Sequence, residues 1–231
     1  MTGRKLLAEF LGTALLVAVV VGSGIAASRL SPSDVGLQLL ENAAATAAGL
    51  VVLILIFGPV SGAHFNPVVS IVDAVMGGMR WREVTAYALA QTAGAVFGAI
   101  LANTMFGAVP VSISTKPRSS LALWLSEIVA TAGLVLLIFA LTRTGRGHLA
   151  APAVGAYIGS AYFFTASTSF ANPAVAIGRV FSDSFAGISP WSVPGFVIAE
   201  LAGAGVAVVL IRVLFASERT QAVAASERGA G

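Results

Sequence analysis

Ser61-Gly62-Ala63-His64-Phe65-Asn66-Pro67-Val68 and Phe170-Ala171-Asn172-Pro173-Ala174-Val175 decide how this chain folds. Asn is a preferred N-cap and Pro suits the first helical position, where its missing N–H costs nothing. A single Asn-Pro step is a helix start in any loop. Here the step recurs at equivalent places in two halves of the chain. Each copy leads into about a dozen fairly apolar residues, Asn66–Gly77 and Asn172–Ser182. These runs are too short to cross ~30 Å of hydrocarbon, which takes ~20 residues. The spacing therefore predicts two re-entrant half-helices. Gly58-Pro59 is expected to end the preceding span, with Ser61-Gly62 as a flexible descent.

On either side of the motifs lie longer apolar runs: Leu6–Ser28, Leu37–Phe57, Val84–Thr104, Leu121–Thr142, Ala150–Ser167 and Val193–Phe215. Each approaches the length of a membrane span. Of the 231 residues, 57% are hydrophobic and 10% charged, with a mean hydropathy of +0.92. Soluble domains carry roughly 25% charged residues. The solvent for most of the surface is therefore lipid. The first run is expected not to be a cleavable signal, because it is long and holds Glu9 in its interior.

The two halves repeat. Glu9-Phe-Leu-Gly-Thr13 opens the first span and Glu127-Ile-Val-Ala-Thr131 the fourth; Gln91-Thr-Ala-Gly94 in the third is echoed by Glu200-Leu-Ala-Gly203 in the sixth. Three spans per half is an odd number, so the halves, about 1–110 and 111–216, must insert with opposite orientation, an inverted repeat. Residues 1–216 read as one channel domain and 217–231 as a disordered cytoplasmic tail. Small-residue pairs (Gly94/Gly98, Gly155/Gly159, Ala199/Gly203) would let spans approach closely.

Of the thirteen Lys and Arg, nine fall on the side holding both termini, and Arg29, Lys116, Arg118 and Arg179 fall on the other. The positive-inside rule places the termini in the cytoplasm. The net charge of +3 fits a face near anionic lipid and calls for no nucleic acid. There is no cysteine and there are two His residues, so thiol chemistry is excluded and a multi-histidine metal site is not expected.

Half-helices entering from opposite faces bring their positive N-terminal ends together near the midplane. Each Asn carbonyl oxygen caps its own helix and leaves its NH₂ as a donor to the cavity. Asn66, Pro67, Val68, Asn172, Pro173 and Ala174 thus form the pore midplane. The arrangement suits neutral molecules with lone pairs and opposes cations. It supplies no base, nucleophile or metal, so neither an enzyme nor a cofactor is expected. Glu9 and Glu127 are intramembrane carboxylates, costly unless buried and partnered, and a proton-coupled role is open to them. Gln91 and Glu200 read as interhelical hydrogen-bond partners, and His64 as a residue that either lines the cytoplasmic half of the pore or packs beside it. Asp73 has no role in this reading.

The motifs Ala8-Glu9-Phe-Leu-Gly12-Thr13, Ser61-Gly-Ala-His64-Phe-Asn66-Pro67 and Asn172-Pro173-Ala174 resemble the aquaporin/aquaglyceroporin (major intrinsic protein) family over about residues 4–215. The resemblance implies an all-α membrane fold of six spans and two half-helices, a homotetramer with one pore per subunit, and Glu9 and Glu127 as loop braces. More narrowly, Ser167-Thr-Ser-Phe170-Ala-Asn172-Pro-Ala174-Val175 with Phe181-Ser-Asp-Ser-Phe-Ala-Gly187-Ile resembles the aquaporins of bacterial arsenic-resistance operons. That implies a multi-pass protein of the bacterial inner membrane.

The family's usual Asn-Pro-Ala-Arg is not kept, since Val175 stands where the resemblance implies Arg. The other selectivity-filter positions implied are Thr46, Ser160, Ser169 and Phe170. Small groups at Thr46, Ser160 and Val175 imply a wide, weakly polar, uncharged constriction. Arg179, one turn beyond Val175 on the same half-helix face, could hold a positive charge in the outer vestibule or extend to the lipid headgroups, and the second is expected. Permeants implied are glycerol, water, arsenous acid and methylated arsenicals. The alternatives are a plain water or glycerol channel, a proton-coupled secondary transporter using the intramembrane Glu residues, and a non-conducting structural membrane protein.

Overall fold

The computed structural model describes residues 3–215, and the expected tail 217–231 lies outside the described residues. Eight α-helices follow in order: α1 Gly3–Leu30, α2 Val35–Ser61, α3 Pro67–Val75, α4 Trp81–Met105, α5 Leu121–Arg143, α6 Ala150–Phe164, α7 Pro173–Gly178 and α8 Val193–Leu214. Six are spans, and α3 and α7 are the expected half-helices. No strand occurs among the described residues.

Five helical segments are long and apolar enough to cross a membrane on their own. The other, α6, has only 15 residues, but a 3₁₀ turn over Gly147–Leu149 precedes it. Together they reach about 28 Å at helical rises of ~1.5 and ~2.0 Å per residue. Helix α2 runs through Pro59 to Ser61, past the end expected at Gly58-Pro59. Pro59 gives up the N–H bond to the carbonyl four residues before it, and the helix continues for two residues more. Gly62, at φ 91°, closes the helix by donating its N–H to Gly58 O at 3.0 Å.

Helix α1 packs on α2 and α4, α5 packs on α8 and less extensively on α6, and α2 meets α6. Half-helix α3 rests on α4 and α8, while α7 rests on α8 and α4. The pattern is nearly unchanged when α1–α4 are exchanged for α5–α8, as an inverted repeat requires. Close approach depends on glycine. A Cβ at Gly94 or Gly98 of α4 would strike the carbonyl oxygens of Phe10 and Ala14 in α1, and one at Gly203 of α8 would lie 2.5 Å from Ile128 O in α5.

Large apolar side chains stay exposed along the spans, among them Leu11 and Leu15 of α1 and Val209 and Val213 of α8. Lipid is the solvent that accepts them. Trp81 and Trp191, both exposed near helix starts, sit where indoles favour the membrane–water interface.

Candidate functional site

Both half-helices start as the Asn-Pro step dictates. Asn66 Oδ1 accepts from Val68 N at 3.0 Å, and Asn172 Oδ1 accepts from Ala174 N at 3.0 Å and Val175 N at 3.3 Å. Pro67 and Pro173 occupy the first helical positions. The two side-chain amides then cross over: Asn66 Nδ2 donates to Ala171 O and Asn172 Nδ2 to Phe65 O, each at 2.7 Å. One N–H of each amide is thereby committed to the opposite loop, and one remains for the cavity. The sequence alone leaves both free.

The loops that present these residues are strained. All five non-glycine residues with positive φ among the described residues lie in them: Ala63 (50°), Phe65 (49°), Thr168 (65°), Ser169 (52°) and Ala171 (49°). Such conformations cost of order 1 kcal/mol each and persist only when the surroundings enforce them. Buried carboxylates do so here. Glu9 accepts from Ser61 Oγ (2.6 Å), His64 N (3.0 Å), Phe65 N (2.7 Å) and Gln91 Nε2 (2.8 Å). Glu127 accepts from Phe170 N (3.0 Å) and Ala171 N (2.7 Å), and Glu200 accepts from Asn172 N (2.9 Å). Every one of these carboxylates is wholly buried, and none faces the cavity.

A cavity of about 510 Å³ runs between the halves. It extends from Pro59, Thr142 and His148 at the end carrying both termini, past Asn66 and Asn172, to Val175 and Arg179 toward the other end. Its wall is mostly apolar, with Leu16, Leu50, Val154 and Ile158 facing the few polar groups. His64 lines the terminal half, with Nδ1 3.0 Å from Ser70 Oγ and Nε2 3.9 Å from Asp73 Oδ2. Asp73 thus stands beside that imidazole.

Of the expected midplane residues, only the two Asn reach the cavity. Pro67, Pro173 and Ala174 are buried behind them, and Val68 packs on Val135, Phe139 and Ala204. The side chain at position 68 therefore fills protein rather than pore. Of the expected filter residues, Thr46, Ser169, Phe170 and Val175 line the cavity.

Ser160 does not. It is exposed on the outer side of α6, and its Oγ donates to Tyr157 O at 2.7 Å. Tyr162, about 200° further round the helix, faces inward instead, with its hydroxyl 3.0 Å from Thr46 Oγ1. Its one sequence signal is a phenol inside an apolar span. Thr46 is consequently paired across the wall rather than left as a free small group.

Arg179 takes the vestibule alternative rather than the expected headgroup one. It is 3% exposed and does not reach the lipid headgroups. It sits in a 3₁₀ turn, Arg179–Phe181, that continues α7. Its guanidinium lies over the Phe170 ring, 3.5 Å from the centroid, and its Nε donates to Ala186 O. Arg118 approaches the same ring at 5.2 Å and donates from Nε to Gly187 O at 3.0 Å; Lys116 Nζ donates to Phe185 O at 2.9 Å. Three successive carbonyls, 185–187, thus hold three cations. Among the described residues none of the three has a carboxylate ion-pair partner. Burial pushes the Lys116 ammonium below its ordinary range, and the like charge of Arg118 adds to the shift.

A profile for the family described as Major intrinsic protein matches residues 1–169. The aquaglyceroporin AqpS of Rhizobium meliloti (strain 1021) is 54% identical over 217 residues, covering 94% of this chain and 92% of that protein. A glycerol uptake facilitator protein of Pseudomonas aeruginosa is 33% identical, covering 96% and 92%. The structure of the aquaglyceroporin from Plasmodium falciparum superposes with a TM-score of 0.68 at 20% identity, over 90% of this chain and 94% of that one. At that identity it speaks for the fold alone.

Proposed function

The chain belongs to the major intrinsic protein family and is a multi-pass membrane channel rather than an enzyme, and from this premise we propose that it passes small neutral hydroxylated solutes of glycerol size, and water, down their gradients. The observation that carries the reading is the crossed pair of amides. Each Asn keeps one N–H for a passing hydroxyl, while the ends of α3 and α7 supply positive potential at the same level. The mostly apolar wall suits the carbon side of a polyol. The intramembrane carboxylates are taken up by loop donors and stand away from the cavity, which argues against a proton relay through them.

The finer reading is that the physiological cargo includes arsenous acid and its methylated relatives. The support is the stretch Ser167–Ile188 with Val175 in place of Arg, and the chemistry of arsenous acid, a neutral molecule with three hydroxyls. The nine basic residues on one side support cytoplasmic termini in a bacterial inner membrane. The exposed apolar faces of α2 and α5 suit assembly as a homotetramer.

Proteoliposomes test the reading. Glycerol and arsenous acid uptake should be proportional to the gradient, weakly dependent on temperature and indifferent to an imposed proton gradient. Uptake that collapses with an uncoupler would overturn it.

A further inference from the structure

Position 175 holds Val, yet the outer part of the cavity is not uncharged. Resting on the channel reading above, we propose that Arg179 is the outer specificity-determining residue of this pore, a guanidinium held over the Phe170 ring one helical turn beyond Val175.

Three observations carry the assignment. First, Arg179 lines the cavity although it is only 3% exposed, so what little it exposes belongs to the cavity wall. Second, its fork is fixed on the side away from the pore. The ring of Phe170 supports one face, Nε is committed to Ala186 O, and neither terminal Nη group has a protein acceptor among the described residues. Donors left without a protein acceptor at a cavity wall take their partner from the cavity, and the permeant or its water is the occupant that the cavity supplies.

Third, the shelf is itself rigid. Phe170 meets Phe196 edge-on at 5.0 Å, and its N–H is held by Glu127. The turn after α7 is tied to the α4–α5 connection by Ser114 N to Val180 O (2.7 Å), and to the last turn of α4 by Asn103 Nδ2 to Phe181 O (2.9 Å) and Ser182 Oγ to Asn103 Oδ1 (2.7 Å). A guanidinium so anchored presents fixed donors and cannot swing aside.

The consequence is a separation of two tasks. Val175 leaves the constriction wide enough for a polyol, and Arg179 returns the positive charge at a level where it takes up little of the width. Lys116 and Arg118, on the neighbouring carbonyls, add to the same field. The pore is then wide and still closed to cations.

The test compares wild type with Arg179→Leu, Arg179→Lys and Phe170→Leu in proteoliposomes at matched protein content. Glycerol uptake is read beside sodium and proton leak. Arg179→Leu should keep glycerol uptake within a few-fold and raise the leak per glycerol passed by about tenfold or more. Arg179→Lys should keep the leak low, because the charge remains, and change the glycerol-to-urea ratio, because the planar fork is lost. If Arg179→Leu does not reach the membrane, Phe170→Leu decides: removing the shelf should raise the leak as well. Wild-type glycerol uptake with an unchanged leak and unchanged solute ratios in the variants overturns this assignment and leaves the channel reading standing. A wild type that passes no solute overturns both.

Discussion

Asn66 and Asn172 are linked by exchange: each amide nitrogen donates, at 2.7 Å, to the carbonyl of the residue just before the other asparagine. Each also caps its own half-helix. The two motifs therefore hold one another in place across the pseudo-twofold axis. Asn66→Ala should lose about 1 kcal/mol for the cap and a further ~1–3 kcal/mol for the orphaned Ala171 carbonyl. Asn172→Ala should behave alike. Thermal unfolding in detergent would show the two single losses, and the double variant should fall short of their sum, since one cross-link network is removed twice. Strict additivity would mean the two loops are independent.

Replacing Glu9 or Glu127 with Gln tests the braces. Both oxygens of each carboxylate accept donors, so an amide must place its own NH₂ against an N–H. The expected cost is ~1–3 kcal/mol for each mismatched donor. Glu9→Gln should be the more harmful, because four donors converge there. Lower membrane yield and a lower unfolding temperature are the readouts. A Glu9→Gln protein as stable as wild type would remove the bracing role.

Glycine contacts give a paired prediction. Gly94→Ala and Gly203→Ala push a methyl against backbone carbonyls of α1 and α5, and overpacking of this kind costs ~1–3 kcal/mol. Gly205 of α8 has open space where a Cβ would stand, so it should accept Ala with no loss and gain up to ~1 kcal/mol of helix propensity. Unfolding temperatures of the three variants in detergent make the comparison. Equal effects at all three positions would show that the helix interfaces are looser than the structure has them.

Val175→Arg places a second guanidinium about one turn from Arg179 in the same wall. Like charges and added bulk should narrow the outer pore. Glycerol and methylated arsenical uptake should drop far more than water permeability, measured by stopped-flow at matched expression. Unchanged ratios would put position 175 outside the constriction.

Mercurial reagents act through thiols, and the chain has no cysteine. Conductance should persist in their presence. Thiol-reversible inhibition of the purified protein would contradict the composition argument.

Much of this fold is legible in one dimension. Run length against bilayer thickness finds the spans, with α6 the shortest. The repeated Glu, Asn-Pro and Gln/Glu landmarks find the duplication, and an odd span count inverts it. The Asn-Pro capping logic reaches as far as the half-helix starts at Pro67 and Pro173, because those interactions are local. Glu9 and Glu127 stand out as well, since a carboxylate in hydrocarbon requires partners.

The rotation of each helix about its axis is another matter. In a soluble protein an apolar stripe marks the inward face. Here lipid and protein interior are both apolar, so Ser160 and Tyr162 carry no such mark, and packing alone turns Tyr162 toward Thr46 and Ser160 outward. Arg179 is the same lesson at the pore mouth. Its sequence position suits a side chain extending to the headgroups as well as one folded inward, and the choice rests on Phe170 and Ala186, partners supplied by loops that only the tertiary structure brings alongside. Local capping and span length are properties of consecutive residues; the contents of the pore wall depend on groups far apart in the chain, and only their packing sets them.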